Sequence, residues 1–175
     1  MILTGNEIIQ NQKDEKITIS PFLESMVNPN SYDIRLGNKL FIYKNEILDS
    51  RAKNEYEVLE IKEEGFVLEK DQFYLGHSVE IIGSEHFVPI LHNKSGIARL
   101  GLFIHITADL IDIGSKGNIT LQLFPTNSIK IYPNMKIGQI SFWCVKGEIE
   151  KYKGRYTNSV GPVASKSYLT KHPFD

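Results

Sequence analysis

The chain predicts a mostly β fold with one short N-terminal helix. Short runs rich in Val, Ile, Tyr and Phe recur between turn residues. Several of these runs alternate apolar and polar positions, which is the period of a strand with one buried face. Runs of this length and spacing suggest a sandwich or a barrel. At the N-terminus, Thr4-Gly5-Asn6-Glu7 has the Thr-x-x-Glu spacing of a capping box and is followed by Ile8 and Ile9. A helix ending near Asp14 is therefore expected.

From Ile17 the strand-like runs follow in order: ITIS before Pro21, SYDIRLG, KLFIYKN, FVLEKDQFYLGHSVEII, HFVPILHN, LGLFIHIT, GNITLQLF and IKIYPNMKIGQISFWCV. In Asn118–Phe124, Ile119, Leu121 and Leu123 share one face and Thr120 and Gln122 the other. Gln122 is therefore expected to point away from the apolar side. Ser95 to Leu100, bracketed by strands, predicts one helical turn with its first N–H groups near Ser95. The tail from Lys151 is rich in Gly, Ser, Tyr and Lys and shows little apolar periodicity. It is expected to be either a disordered end or an arm that orders over a ligand. A chain of 175 residues suits one domain with a real core. The expectation is a single domain over 1–175 with 151–175 as a C-terminal arm.

Composition narrows the function. Lys plus Arg number 20 and Asp plus Glu 21, for a formal charge of −1. No run of like charge suggests a nucleic-acid arm or a membrane-surface patch. Cys144 is the only cysteine, so neither an internal disulfide nor a thiolate metal cage is available, and a reducing compartment fits. The N-terminus turns polar too early for a secretory segment, and no apolar run approaches the roughly 20 residues of a membrane span. The expectation is a soluble, cytoplasmic protein that binds neither nucleic acid nor membrane.

Chemistry is expected in residues 92–127, where two polar, glycine-marked turns lie between apolar strands. Lys94, Ser95 and Arg99 offer cations and donors for phosphate, and Gly96 allows close backbone approach. Asp112 has two readings: a carboxylate that orients or deprotonates a water, or one that caps its own turn. On spacing alone the second is the stronger. The histidines His77, His86, His92, His105 and His172 are scattered, without metal-ligand spacing, and each suits a structural role. No GxSxG, Walker lysine loop or CxxC is present.

Five stretches in order resemble the trimeric dCTP deaminase and dUTPase superfamily. They are Asn28–Gly37 (NPNSYDIRLG), KSGIARLGLFIHITADLID, IGSKGNITLQLF, Asn134–Phe142 (NMKIGQISF) and GRYTNSVGPVASKSY. The resemblance implies a distorted β-barrel subunit of the dUTPase-like, β-clip type. It also implies a homotrimer with active sites between subunits, a deoxynucleoside triphosphate (dUTP or dCTP) as ligand, and Mg²⁺ held mainly by the phosphates. It gives the polar tail a use in closing over the triphosphate.

The same resemblance separates two branches. In the deaminase branch a glutamate activates the water that attacks C4 of cytosine, and its position here is Gln122, ten residues beyond Asp112. An amide cannot accept that proton, and general-base help is typically worth about 10²–10⁴ in rate. Ser95-Gly96, Leu110-Ile111-Asp112 and Gln139 resemble the dUTPase pattern. Departures from that pattern are Ser115, where an aromatic is expected against the deoxyribose, and Lys94 for arginine, which keeps the charge but loses the bidentate fork. The tail resembles the deaminase arm. The expectation is therefore a Mg²⁺-dependent dUTP diphosphatase. Asp112 orients the water, and Lys94, Ser95, Gly96, Arg99, Gln139 and Tyr156 hold the phosphates. Ala108, Asp109, Leu110, Ile111 and Gln122 meet the base and sugar, and residues 156–165 close the site. The alternatives are a dCTP deaminase, alone or continuing to dUMP, in which Asp109 is the extra carboxylate on offer, and an inactive nucleotide-binding trimer.

Overall fold

The computed structural model describes residues 1–170; His172 lies outside them. Helix α1 (Gly5–Lys13) starts where the capping-box spacing places it, with Thr4 at the N-cap in an extended conformation. The box itself does not form. Thr4 makes no side-chain cap bond; the Glu7 carboxylate accepts Asn11 Nδ2 at 3.3 Å, and the Gly5 N–H donates to the Pro29 carbonyl at 2.8 Å. Asp14 caps the other end.

Twelve strands follow: β1 (Ile17–Ser20), β2 (Val27–Asn28), β3 (Ser31–Arg35), β4 (Lys39–Tyr43), β5 (Tyr56–Glu60), β6 (Phe66–Leu68), β7 (Tyr74–Ser84), β8 (Phe87–Asn93), β9 (Leu102–Phe103), β10 (Lys116–Pro125), β11 (Ile129–Ile131) and β12 (Lys136–Cys144). The expected helical turn is α2 (Ser95–Arg99). All ladders are antiparallel. One sheet runs β5-β4-β7-β10-β9 with β1 also on β7; a second runs β2-β3-β12-β8; β6 and β11 form a third. The mostly β expectation holds; the barrel does not show, because among the described residues the ladders trace three open sheets.

Three expected runs change at turns. The stretch 66–82 divides into β6 and β7 around Asp71, whose φ of 60° reverses the chain. The stretch 129–145 divides around Asn134, at φ 61°; Asp and Asn tolerate this left-handed region better than most residues. LGLFIHIT pairs only at Leu102 and Phe103, because the Ile104 carbonyl accepts the Gln122 N–H at 2.9 Å outside the regular ladder. Strand β5, a largely exposed edge strand carrying Glu57 and Glu60, was not expected.

The core is aliphatic. Ile34, Leu36, Leu40, Ile82, Leu121, Leu123, Ile140 and Phe142 are fully buried, each worth about 1.5–3 kcal/mol of transfer free energy. Within it, Glu80 of β7, fully buried, accepts the Arg35 N–H at 2.8 Å and Arg35 Nε at 2.7 Å. This pair and the Leu36–Ser78 bridge join the two large sheets. No helix among the described residues is long and apolar enough to cross a membrane.

Candidate functional site

Strand β10 builds the principal site. Leu121 and Leu123 turn inward, so Thr120 and Gln122 face the other way, into a cavity of about 660 Å³, within the usual range for a small-molecule site. A register shift falls between Asn118 and Thr120. Ile119, half-buried, still packs against the core that holds Leu121 and Leu123 and also borders the cavity, as the local irregularity allows. Asn118 Nδ2 donates to the Ser78 carbonyl at 3.0 Å, which pins the bulge to β7.

Ala108, Leu110, Ile111, Asp112 and Ser115 form a second wall. Asp112 is exposed, and its carbonyl accepts the Ser115 N–H at 3.1 Å, so the carboxylate sits at the head of a closed turn. Asp109 lies outside the cavity lining. Residues 108–111 were expected to meet the base and sugar, and part of their backbone is already committed. The Asp109 carbonyl accepts the Leu91 N–H at 2.9 Å, and the Ile111 N–H donates to Pro89 at 3.0 Å. Gln122 Oε1 accepts the Ile106 N–H at 3.1 Å, which fixes the amide so that its NH₂ group is the end available for donation.

The third wall is the C-terminal arm. The Asn118 and Gly161 main chains and the Asn118 side chain knit it to β10, with Asn118 N–H to Ser159 at 2.9 Å and Gly161 N–H to Asn118 Oδ1 at 3.0 Å. The Val163 N–H donates to Thr120 Oγ1 at 3.1 Å. Further along, the Ser165 N–H donates to the Tyr43 hydroxyl at 2.9 Å, and Ser167 Oγ donates to the Ser50 carbonyl at 2.8 Å. Tyr156 lines the cavity, and its hydroxyl accepts the Lys166 N–H at 2.9 Å. The loop holding Leu48, Asp49, Ser50 and Asn54 completes the enclosure; no motif marks that loop, and Tyr43 and Asp49 were both missed.

The remaining expected residues, Lys94, Ser95, Gly96, Arg99 and Gln139, do not line this cavity. Ser95, Gly96 and Arg99 lie exposed on α2, where Arg99 Nη1 donates to the Ser95 carbonyl at 3.1 Å. Lys94 Nζ is 2.7 Å from Asp33 Oδ1, and Lys136 Nζ is 3.0 Å from Asp33 Oδ2. Asn28 Nδ2 donates to Asp33 Oδ1 at 2.7 Å. Nearby, Ser31 Oγ donates to Gln139 Oε1 at 2.7 Å. Asp33 and Lys136 were not singled out in the sequence, although a carboxylate between Tyr32 and Ile34 in an apolar strand signals a buried charge that needs partners. Burial alone would raise the Asp33 carboxyl, but Lys94, Asn28 and Lys136 together hold it below the ordinary carboxylate value.

Of the histidines, desolvation lowers His77 and His92. The first donates from Nδ1 to the Ser78 carbonyl at 2.9 Å, and the second pairs through Nε2 with Ser141 Oγ at 2.7 Å. Neither lines the cavity on β10. Among the described residues no three His, Cys, Asp or Glu side chains gather as a metal site. Asp112 and Asp49 supply oxygen donors at the cavity, a set that suits Mg²⁺ carried in on phosphates with its waters.

The sequence model for dCTP deaminase-like proteins matches residues 2–145. The chain belongs to the dCTP deaminase-like family. A protein of Hathewaya histolytica named dCTP deaminase, dUMP-forming, is 46% identical over 92% of this chain and 94% of its own. One of Cytophaga hutchinsonii with the same name is 41% identical over 96% of this chain and 97% of its own. The crystal structure of 2'-deoxycytidine 5'-triphosphate deaminase from Agrobacterium tumefaciens shares the fold, with a TM-score of 0.64 at 22% identity, over 81% of this chain and 47% of that one.

These relatives correct the dUTP diphosphatase expectation, because family members this similar over nearly the whole chain are named for dCTP. The physical reason lies in the name. Forming dUMP from dCTP requires both loss of the amino group and cleavage of the phosphate chain, so dUTPase-like residues belong in such a protein and do not mark a separate branch.

The Asp33 cluster yields a prediction about stability. A carboxyl whose folded pKa is depressed stabilises the fold above its unfolded value and loses that contribution as pH falls through the folded one. Asp33→Asn is expected to cost about 1–3 kcal/mol at pH 7, and the gap to the parent should narrow progressively as pH falls below about 4. Urea unfolding at both pH values measures it.

Proposed function

We propose that this chain converts dCTP to dUMP in one site, by deamination followed by hydrolysis at the α-phosphorus. The observation that carries this reading is the 46% identity, over 92% of the chain, to a protein named dCTP deaminase, dUMP-forming. The balance is dCTP plus two waters giving dUMP, ammonia and pyrophosphate. The cavity on β10 takes the base and sugar, with Gln122 and the wall 108–112 beside the ring. Gln122, fixed through Oε1, orients the ring and the water. Asp112 receives the proton from the water attacking C4, passes it to the leaving nitrogen, and orients the water for the α-phosphorus in the second step. Mg²⁺, when bound with the triphosphate, offsets its charge. Tyr43, Tyr156 and the arm exclude bulk water, which strengthens each polar contact inside. Lys94, Ser95, Gly96, Arg99 and Gln139 lie outside this cavity within one subunit. Their phosphate role requires a homotrimer in which a neighbouring copy supplies them to this cavity.

A second reading, a nucleotide-binding trimer without turnover, is favoured by one observation: Gln122, which faces the cavity, is an amide whose oxygen is already bonded to the Ile106 N–H, so this side chain accepts no proton from a water.

Two variants separate these readings. Asp112→Asn is expected to abolish dUMP formation from dCTP, by at least about 10²-fold, while nucleotide binding by calorimetry stays within a few-fold; an active variant removes Asp112 from the mechanism. Gln122→Glu places a proton acceptor at the ring and is expected to raise the rate of ammonia release by about 10²-fold. Ammonia from the variant alone, with none from the parent, would establish the binding reading.

A further inference from the structure

We propose that Lys136, held beside Lys94 on the two oxygens of the buried Asp33 carboxylate, is a second cation of a triphosphate subsite, with Asp33 as its positioning residue. The subsite rests on the nucleotide reading above and specifies which part of the ligand it serves. Asp33 has a side chain 2% exposed, whereas Lys94 and Lys136 remain 31% and 44% exposed. The charged heads therefore sit at the mouth of a buried acid. One ammonium neutralises one carboxylate; the second leaves a local surplus of positive charge on a chain whose net charge is −1.

Three separate stretches build the arrangement. Asp33 comes from β3, Lys94 from the end of β8, and Lys136 from the first position of β12. The β12–β3 register sets Lys136 opposite Arg35 and Gln139 opposite Asp33. Lys94, Lys136 and Gln139 thus come to one end of the strands of the four-stranded sheet, and Gln139 is held by Ser31 Oγ at 2.7 Å and by the Asn93 carbonyl at 3.3 Å. Because each ammonium takes its own carboxylate oxygen, neither swings freely, and an incoming phosphate chain meets two fixed cations without paying to order them. Two cations on adjacent oxygens match a ligand with several linked phosphates better than one with a single phosphate.

A purely structural role for the triad makes a different prediction, since loss of a strap between strands weakens every ligand alike. The test is calorimetric titration of the full chain with dCTP and, separately, dCMP, both with excess Mg²⁺, in the Asp112→Asn background so that substrate survives. Lys136→Gln is expected to weaken dCTP binding about three- to tenfold and to leave dCMP within about twofold; Lys136→Arg restores dCTP binding. An equal loss for both nucleotides, or no loss for dCTP, overturns the subsite while leaving the nucleotide reading standing. A background chain that binds neither nucleotide overturns that reading and the subsite with it.

Discussion

The pleat of β10 is the constraint on which the rest depends. A strand alternates its side chains between two faces, and here one face is the core, through Leu121 and Leu123, while the other is the cavity, through Thr120 and Gln122. The bulge at Asn118 interrupts the ladder and gives that asparagine two tasks at once. It gathers carbonyls of β7 and receives the Gly161 N–H of the arm. Core, cavity and arm therefore share one register, and a one-residue slip would exchange them.

The second organising feature is charge placed where water is scarce. Glu80 with Arg35 and Asp33 with its two lysines are buried acids satisfied by cations and hydrogen bonds. Buried pairs of this kind add little net stability but are costly to break. They hold β3 against β7 on one side and against β8 and β12 on the other, so the sheets meet at fixed angles while the lysine heads stay at the surface.

Much of this was legible in the sequence, for local reasons. The Thr4–Glu7 spacing located α1, the alternation in 118–124 turned Gln122 away from the core, and bracketing strands located α2. Missing elements had non-local causes. Asp71 and Asn134 enter left-handed turns inside runs that read as continuous strands. Ile104 is drawn off the ladder by Gln122, and β5 is an edge strand with little to bury. The site was half legible. Asp112, Ile111, Gln122 and Tyr156 do meet at one cavity, but motif order along the chain does not reveal that Lys94 and Gln139 lie elsewhere in the subunit. Gln122, together with Ser95-Gly96, Leu110-Ile111-Asp112 and Gln139, had suggested dUTP as the substrate, an inference that the near-full-length similarity to relatives named for dCTP overrides.

The most direct measurement is the fate of dCTP itself. The purified natural chain is incubated with Mg²⁺ and dCTP, and the products are resolved by anion-exchange chromatography with ammonia assayed in parallel. Accumulation of dUMP with an equal yield of ammonia is the predicted result. Intact dCTP after prolonged incubation, with no ammonia released, would contradict the account.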